Sequence, residues 1–275
     1  MLRRTVHQTE MSAPLILHKR LPIHPWTRAG GVRLPGLAPI KIRDWLRQDE
    51  VFTAQMAYRD VLARDKKCEV YAALPEAKAG ADELLFVLLN ELPEHASYRR
   101  AGTQLTRPDG ISIETARLPP LLAAGQLVQE DFALMAKSGN SHRLDGGMIC
   151  FPANWCLADK LGKSLGKLHD PVEVFGEAMT ERTERVFDNL RTDTPLERAN
   201  FLIYTNPDLH QPARSPKKLT EGAPRFVRAE RQTLRRLPRT GVIVFAIHTY
   251  LVRADSLDAD TFAALAALRS ELRAT

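Results

Sequence analysis

The sequence predicts an α+β fold: a mostly antiparallel sheet with helices gathered to one side. Three observations carry that expectation. The strand-like segments are spaced for hairpins, no regular βαβ alternation is visible, and no repeat recurs at periods of about 20 to 50 residues. The 275 residues suit one large domain or two small ones, and 44% apolar against 26% charged residues is ordinary globular composition. Disordered, collagenous and coiled-coil chains are thereby excluded. No apolar run reaches the ~18 residues of a spanning helix. Residues 1–20 read as a disordered extension and residues 21–275 as a single α+β domain.

The elements follow in order. Residues 21–41, rich in Pro and Gly, read as an extended arm laid across a core, with Trp26 among its apolar groups. Asp44 reads as the N-cap of a helix reaching Arg64, because Trp45, Phe52, Gln55, Tyr58 and Leu62 recur at helical spacing. Residues 81–92 give a second, strongly apolar helix closed by Pro93. A looser stretch holding Ile111, Ile113, Pro119 and Pro120 follows. Residues 132–135 and 147–151 read as a hairpin joined by a polar loop over 137–146. Asn154 caps a helix over 155–165. A longer helix beyond Pro171 puts Phe175, Met179, Arg182, Val186 and Leu190 on one face. Residues 200–205 form a strand, 206–224 a Pro-rich surface loop, 226–229 a short strand and 230–236 a helical turn. Residues 241–252 form a strand with Ile243, Phe245 and Ile247 on one face and Val244, Ala246, His248 and Tyr250 on the other. Asp258 or Asp260 caps a final helix bearing Phe262, Leu265 and Leu272.

Net charge is +6 at pH 7, a mild excess for a nucleic-acid binder, which concentrates basic charge on one face. The densest stretch, residues 225–239, holds six Arg. It reads as a solvated helix face or as an anion site. On a helix, Arg228, Arg231 and Arg235 would align to meet two carboxylates. Cys68, Cys150 and Cys156 make an odd count in a chain without a clear secretion signal, so the cytoplasm is the expected compartment. The spacing of Cys150 and Cys156 fits neither a redox pair nor a zinc knuckle. No P-loop, dinucleotide fingerprint or HExxH occurs. Of eight His, three stand out. His142 lies in a polar loop and reads as solvated. His248, mid-strand, is either a satisfied core group or a pocket residue. His169 precedes Asp170-Pro171, where proline holds the backbone extended; it is either a ligand aimed by a rigid exit or a plain loop residue.

Several segments together resemble one family. QEDFALM (129–135), CFPANWCLADKLGKSLGKLHDPV (150–172), ERANF (197–201) and RAERQTLRRLPRTGVIVFAIHTYL (228–251) are similar, in matching order, to the haem-dependent oxidative N-demethylases. HPWTRAGGVRLPGLAPI followed by WLRQDE resembles that family's N-terminal portion. The resemblance implies a PAS-like core, here roughly residues 130–252, that binds haem b. It implies oxidation of a secondary amine, dimethylamine, to methylamine and formaldehyde with O₂. Electrons would come from NADPH through separate reductase subunits carrying flavin and an iron–sulfur cluster. This chain shows no flavin, nucleotide or cluster motif, in keeping with an external reductase. Nucleic acid and membrane are not expected partners.

Residue by residue, the resemblance makes His169, in LHDPV, the axial iron ligand. Arg228 and Arg231 would pair with propionates or line the pocket. Arg198 and Tyr204 would face the site from the neighbouring strand, and Glu230 would accept hydrogen bonds from a protonated amine. Three positions depart from the pattern. Glu173 stands where a second Pro is usual, Phe201 where a Trp is usual, and His248 where the family's final strand carries Arg. If that Arg touches substrate or haem, His248 alters the charge and reach of the site. PAS-like cores also serve as haem or small-ligand sensors, so a non-catalytic binding protein is the alternative reading.

Overall fold

The computed structural model describes residues 13–25, 36–95, 97–168, 177–212 and 225–265. Its strands are β1 (Ala38–Pro39), β2 (Tyr71–Ala73), β3 (Arg99–Ala101), β4 (Gln104–Thr106), β5 (Ser112–Glu114), β6 (Asp131–Ser138), β7 (Ser141–Met148), β8 (Leu196–Tyr204), β9 (Phe226–Arg236) and β10 (Ile243–Arg253). Seven of them form one antiparallel sheet in the order β1-β8-β9-β10-β6-β7-β2, while β3-β4-β5 make a small second sheet. The α-helices are α1 (Phe52–Asp65), α2 (Lys67–Val70), α3 (Lys78–Glu91), α4 (Pro120–Gly125), α5 (Leu157–Lys160), α6 (Leu165–Leu168) and α7 (Glu177–Asn189), and a further helix is described over residues 259–265. The fold is α+β, as predicted, but the helices cover both faces of the large sheet instead of gathering to one side, because each face presents apolar residues that need burial.

Period-2 alternation sorts the large sheet into two buried faces. Phe132, Leu134, Val244 and Ala246 meet Met56, Leu84, Leu88 and Trp45 on the face covered by α1 and α3. Ala133, Met135, Leu234 and Phe245 meet Leu165, Phe187 and Leu190 on the other, covered by α6 and α7. Close approach of α4 to the sheet requires Gly125, where a Cβ would lie 2.2 Å from Met148 Cγ. Ile16, His18 and Leu21 are buried, so packed chain begins ahead of residue 21. Trp26 lies outside the described residues.

Several local expectations give way to tertiary pairing. The first helix starts at Phe52, not Asp44, which sits in a single 3₁₀ turn. Arg231 takes the carbonyl oxygens of Asp44 and Trp45, which a helix starting there would use internally. The loop over 137–146 is mostly strand; β6 and β7 meet at a tight turn through Gly139, whose φ of 62° suits a two-residue hairpin connection. The helix over 155–165 is reduced to α5 and α6, because Gly162 and Lys163 instead pair their backbone with Leu144. Asn154 caps nothing; it holds a φ of 62° and donates to the Tyr204 hydroxyl. Asp258, rather than Asp260, caps the last helix, accepting from the Thr261 N–H at 2.8 Å.

The largest correction concerns residues 230–236. They are no helical turn but the second half of β9, paired with β10 along its whole length and with β8 as far as Leu234. Backbone pairing in these ladders outweighs local helix preference. Strand geometry then separates the arginines predicted to align. Arg231 and Arg235 share one face, and Arg228 points to the other.

Arg59 and Asp131 form a fully buried ion pair of 2.6 Å beneath this sheet. Both Asp131 oxygens also accept backbone N–H groups, from Cys150 at 2.7 Å and Phe151 at 2.8 Å. Asp131→Ala leaves a buried guanidinium without its counter-charge, and we expect a loss of about 3–5 kcal/mol, read as a lowered urea midpoint. A change below ~1 kcal/mol would contradict that role.

Candidate functional site

The three longest strands place the chemistry-bearing residues in cross-strand rows. On the face shared with α6 and α7, Arg198 lies opposite Gln232 and Ile247, Asn200 opposite Glu230 and Thr249, and Leu202 opposite Arg228 and Leu251. Tyr204 is on the same face at the end of β8. On the other face, Arg231 lies between Ala199 and His248. Of the residues singled out in the sequence, Arg198, Tyr204, Arg228 and Glu230 are therefore brought together. Arg231 and His248 are not in that group; they neighbour each other across the sheet. His169 lies outside the described residues, between α6 and α7, both of which pack on the first face.

Each guanidinium has a different environment. Arg228 is buried and donates to Glu230 Oε1 at 3.1 Å, the Leu209 carbonyl at 3.0 Å, Thr249 Oγ1 at 3.3 Å and the Phe151 carbonyl. Arg231 donates to Glu197 at 2.8 Å as well as to the two carbonyls named above. Arg235 makes a fork of two 2.6 Å bonds to Glu91 and lies 4.5 Å over the Trp45 ring. Arg198 is half-buried and has no hydrogen bond or ion pair among the described residues. Burial pulls its pKa down from the ordinary value, opposed only partly by the charge of Glu230. A desolvated cation without a counter-ion is costly to hold.

Glu230 is braced at both oxygens, by Arg228 at one and Gln232 Nε2 at the other, 3.0 Å away. Tyr204 accepts from Asn154 Nδ2 at 3.0 Å, and burial pushes its phenol up to about 12. The face thus offers one cation without a hydrogen-bonded partner among the described residues, one fixed carboxylate and a neutral phenol. Such a set can hold a carboxylate-bearing group and orient an N–H donor.

His248 belongs to a different constellation. Its Nδ1 lies 3.0 Å from Glu130 Oε1 and its Nε2 2.9 Å from Asp49 Oδ2, and the ring is fully buried. Two carboxylate acceptors require both nitrogens to donate, so the ring is an imidazolium. Burial alone would lower its pKa; the charge of Glu130 and the bonds to Asp49 and Glu130 outweigh this and raise it to about 9. Asp49 also accepts from His18 Nε2 at 2.7 Å. Burial would raise the Asp49 pKa, but the bonds from His18 and His248 hold it well below the carboxylate range. His248 thus holds a positive charge on the face away from Arg198 and Glu230. Asp49, Glu130 and His248 each lie in a segment that carries the resemblance, but nothing local shows that they meet, since Asp49 stands 199 positions from His248.

One further position needs correction, and one short motif falls outside the site. His142 is buried, not solvated; its Nδ1 lies 2.6 Å from Glu184 Oε2, tying α7 to the β6–β7 hairpin. Residues 162–166 spell Gly-Lys-Ser-Leu-Gly, the nucleophile-elbow pattern. That motif needs a strand-to-helix turn. Ser164 instead follows a turn after α5 and bridges the backbone of Arg143, without a described histidine partner. Cys150 is fully buried and its thiol is pushed up to about 12 by burial, the state of an inert core thiol.

The His248 charge has a pH consequence. Its folded pKa is raised from 6.5 to about 9, so its contribution is complete below pH 6.5 and fades as pH rises through 9. Thermal stability should fall over that window, on the order of 3 kcal/mol in all. His248→Arg, which stays charged, should flatten the slope; an equally steep slope in that variant would refute the assignment.

Comparison with known families finds that residues 36–274 match the family described as haem-dependent oxidative N-demethylase, alpha subunit-like. The match covers both sheets and every helix of the structure. No described helix is long and apolar enough to cross a membrane. The chain belongs to the haem-dependent oxidative N-demethylase family, as an alpha subunit-like member.

Proposed function

We propose that this chain is the haem-carrying catalytic subunit of an oxidative N-demethylase acting on a small secondary amine resembling dimethylamine. The net reaction inserts one atom of O₂ at an N-methyl group and releases formaldehyde, the second atom leaving as water with two electrons and two protons. Those electrons would come from separate reductase subunits using NADPH, flavin and an iron–sulfur cluster; the alpha subunit-like description agrees with a multi-subunit enzyme. The cytoplasm is the compartment that fits this supply.

The observation that carries the reading is Arg198. A half-buried guanidinium with no described partner, on a sheet face that also presents Leu202, Ile247 and Phe245, suits a flat apolar group bearing carboxylates such as haem b. Arg198 would hold a propionate, and His169, in the segment joining the two helices of that face, would ligate the iron. Bound there, haem would supply the oxygen and redox chemistry. The chain's own residues do the rest. Glu230, fixed by Arg228 and Gln232, accepts the amine N–H and so orients the methyl group. Tyr204, un-ionised because it is buried, offers a neutral hydroxyl, and the surrounding leucine and isoleucine side chains exclude water.

Titrating haem into the purified chain tests this. A Soret band should develop, His169→Ala should abolish or shift it, and Arg198→Ala should weaken haem binding by about tenfold or more. Absence of any band would end the proposal. Haem binding without dimethylamine turnover by any reductase would favour the sensor reading instead.

A further inference from the structure

We infer that Arg228 is a positioning residue: it acts on the amine through Glu230 and Tyr204, and makes no contact with a bound cofactor. This rests on the function proposed above and departs from the role the family resemblance implies for Arg228. The geometry is specific. Arg228 is 1% exposed, and its donors go to four separate places: the Glu230 carboxylate, the Thr249 hydroxyl and the carbonyls of Phe151 and Leu209. A guanidinium fork that is already engaged on β9, β10 and two loops has little left to offer a propionate.

The two carbonyls matter as much as the carboxylate. Through them Arg228 draws the segment after β7 onto the segment after β8. There the Asn154 N–H reaches the Gln211 carbonyl at 2.8 Å, and the Gln211 N–H reaches the Pro152 carbonyl at 3.2 Å. Asn154 in turn holds the Tyr204 hydroxyl from this anchored segment. One buried side chain thus fixes both polar groups that would meet the amine, the carboxylate directly and the phenol through Asn154. A lysine at this position could keep the charge beside Glu230 but could not span the carbonyls.

The test uses the full haem-loaded chain, with dimethylamine as probe, O₂ as oxidant and electrons supplied by NADPH through a flavin and iron–sulfur reductase. In Arg228→Gln the haem dissociation constant should stay within about twofold of wild type, with the Soret maximum unmoved, while KM rises about tenfold or more and kcat changes little. Arg228→Lys should recover part of the KM. In a Glu230→Gln background, Arg228→Gln should add little to the KM effect, because both act on one contact. In the haem-free protein, amide exchange at Asn154 and Gln211 should quicken in Arg228→Gln. Should that variant not fold, Arg228→Lys carries the haem and exchange arms. Tenfold weaker haem binding with KM unchanged would overturn the inference, as would full additivity with Glu230→Gln. A wild-type chain lacking a Soret band or dimethylamine turnover would sink the functional reading itself, and is told apart because it precedes any variant.

Discussion

The buried pair of Arg59 and Asp131 is the constraint on which the rest of the molecule hangs. Neither ion reaches water, so each must find every partner inside the protein. Arg59 answers this by binding Asp131 and the carbonyls of Gly125, Gln129 and Glu130, which joins α1 to the end of α4 and the start of β6. Asp131 answers it by taking the N–H groups of Cys150 and Phe151, which fixes where the chain leaves β7. Phe151 then relays the order outward. Its N–H is held by Asp131, its ring stacks on Tyr58, and its carbonyl is taken by Arg228. A continuous path of satisfied buried groups runs from the centre of the fold to the Glu230 carboxylate.

The sheet divides charge into two kinds of work. On the face under α1, the imidazolium of His248 is enclosed by Asp49 and Glu130, and Arg231 and Arg235 bind Glu197 and Glu91. These charges pair with one another in the pattern of an internal clasp, although Glu130 Oε2 and Arg235 Nε are buried there with no hydrogen-bond partner among the described residues. On the face under α6 and α7, Arg198 has no hydrogen bond or ion pair among the described residues and feels only the charge of the nearby, anchored Glu230 carboxylate. Unspent electrostatic potential is what distinguishes a binding surface from a structural one.

Much of the fold was legible in residue order. Alternation in Ile243–Ile247, the apolar helix ending before Pro93 and the hairpin of β6 with β7 all follow from spacing that one buried face imposes. Residues 230–236 were misjudged for an equally physical reason. Ala, Glu, Gln, Leu and Arg favour helix locally, and only the ladders on either side, from residues about 30 positions before and 15 after, make strand the better state. Candidate site residues were legible as types, through the resemblance; their sides of the sheet were not.

By itself the sequence determined the α+β class, the family and the set of residues able to do chemistry, because periodicity and motif order are local properties of the chain. Only the tertiary structure decided which of those residues act together. A strand sends neighbouring side chains to opposite faces, so the single step from Glu230 to Arg231 separates a residue of the proposed site from the clasp. Whether a buried charge is spent or free depends on partners such as Asp49 and Glu197, which folding alone brings within reach.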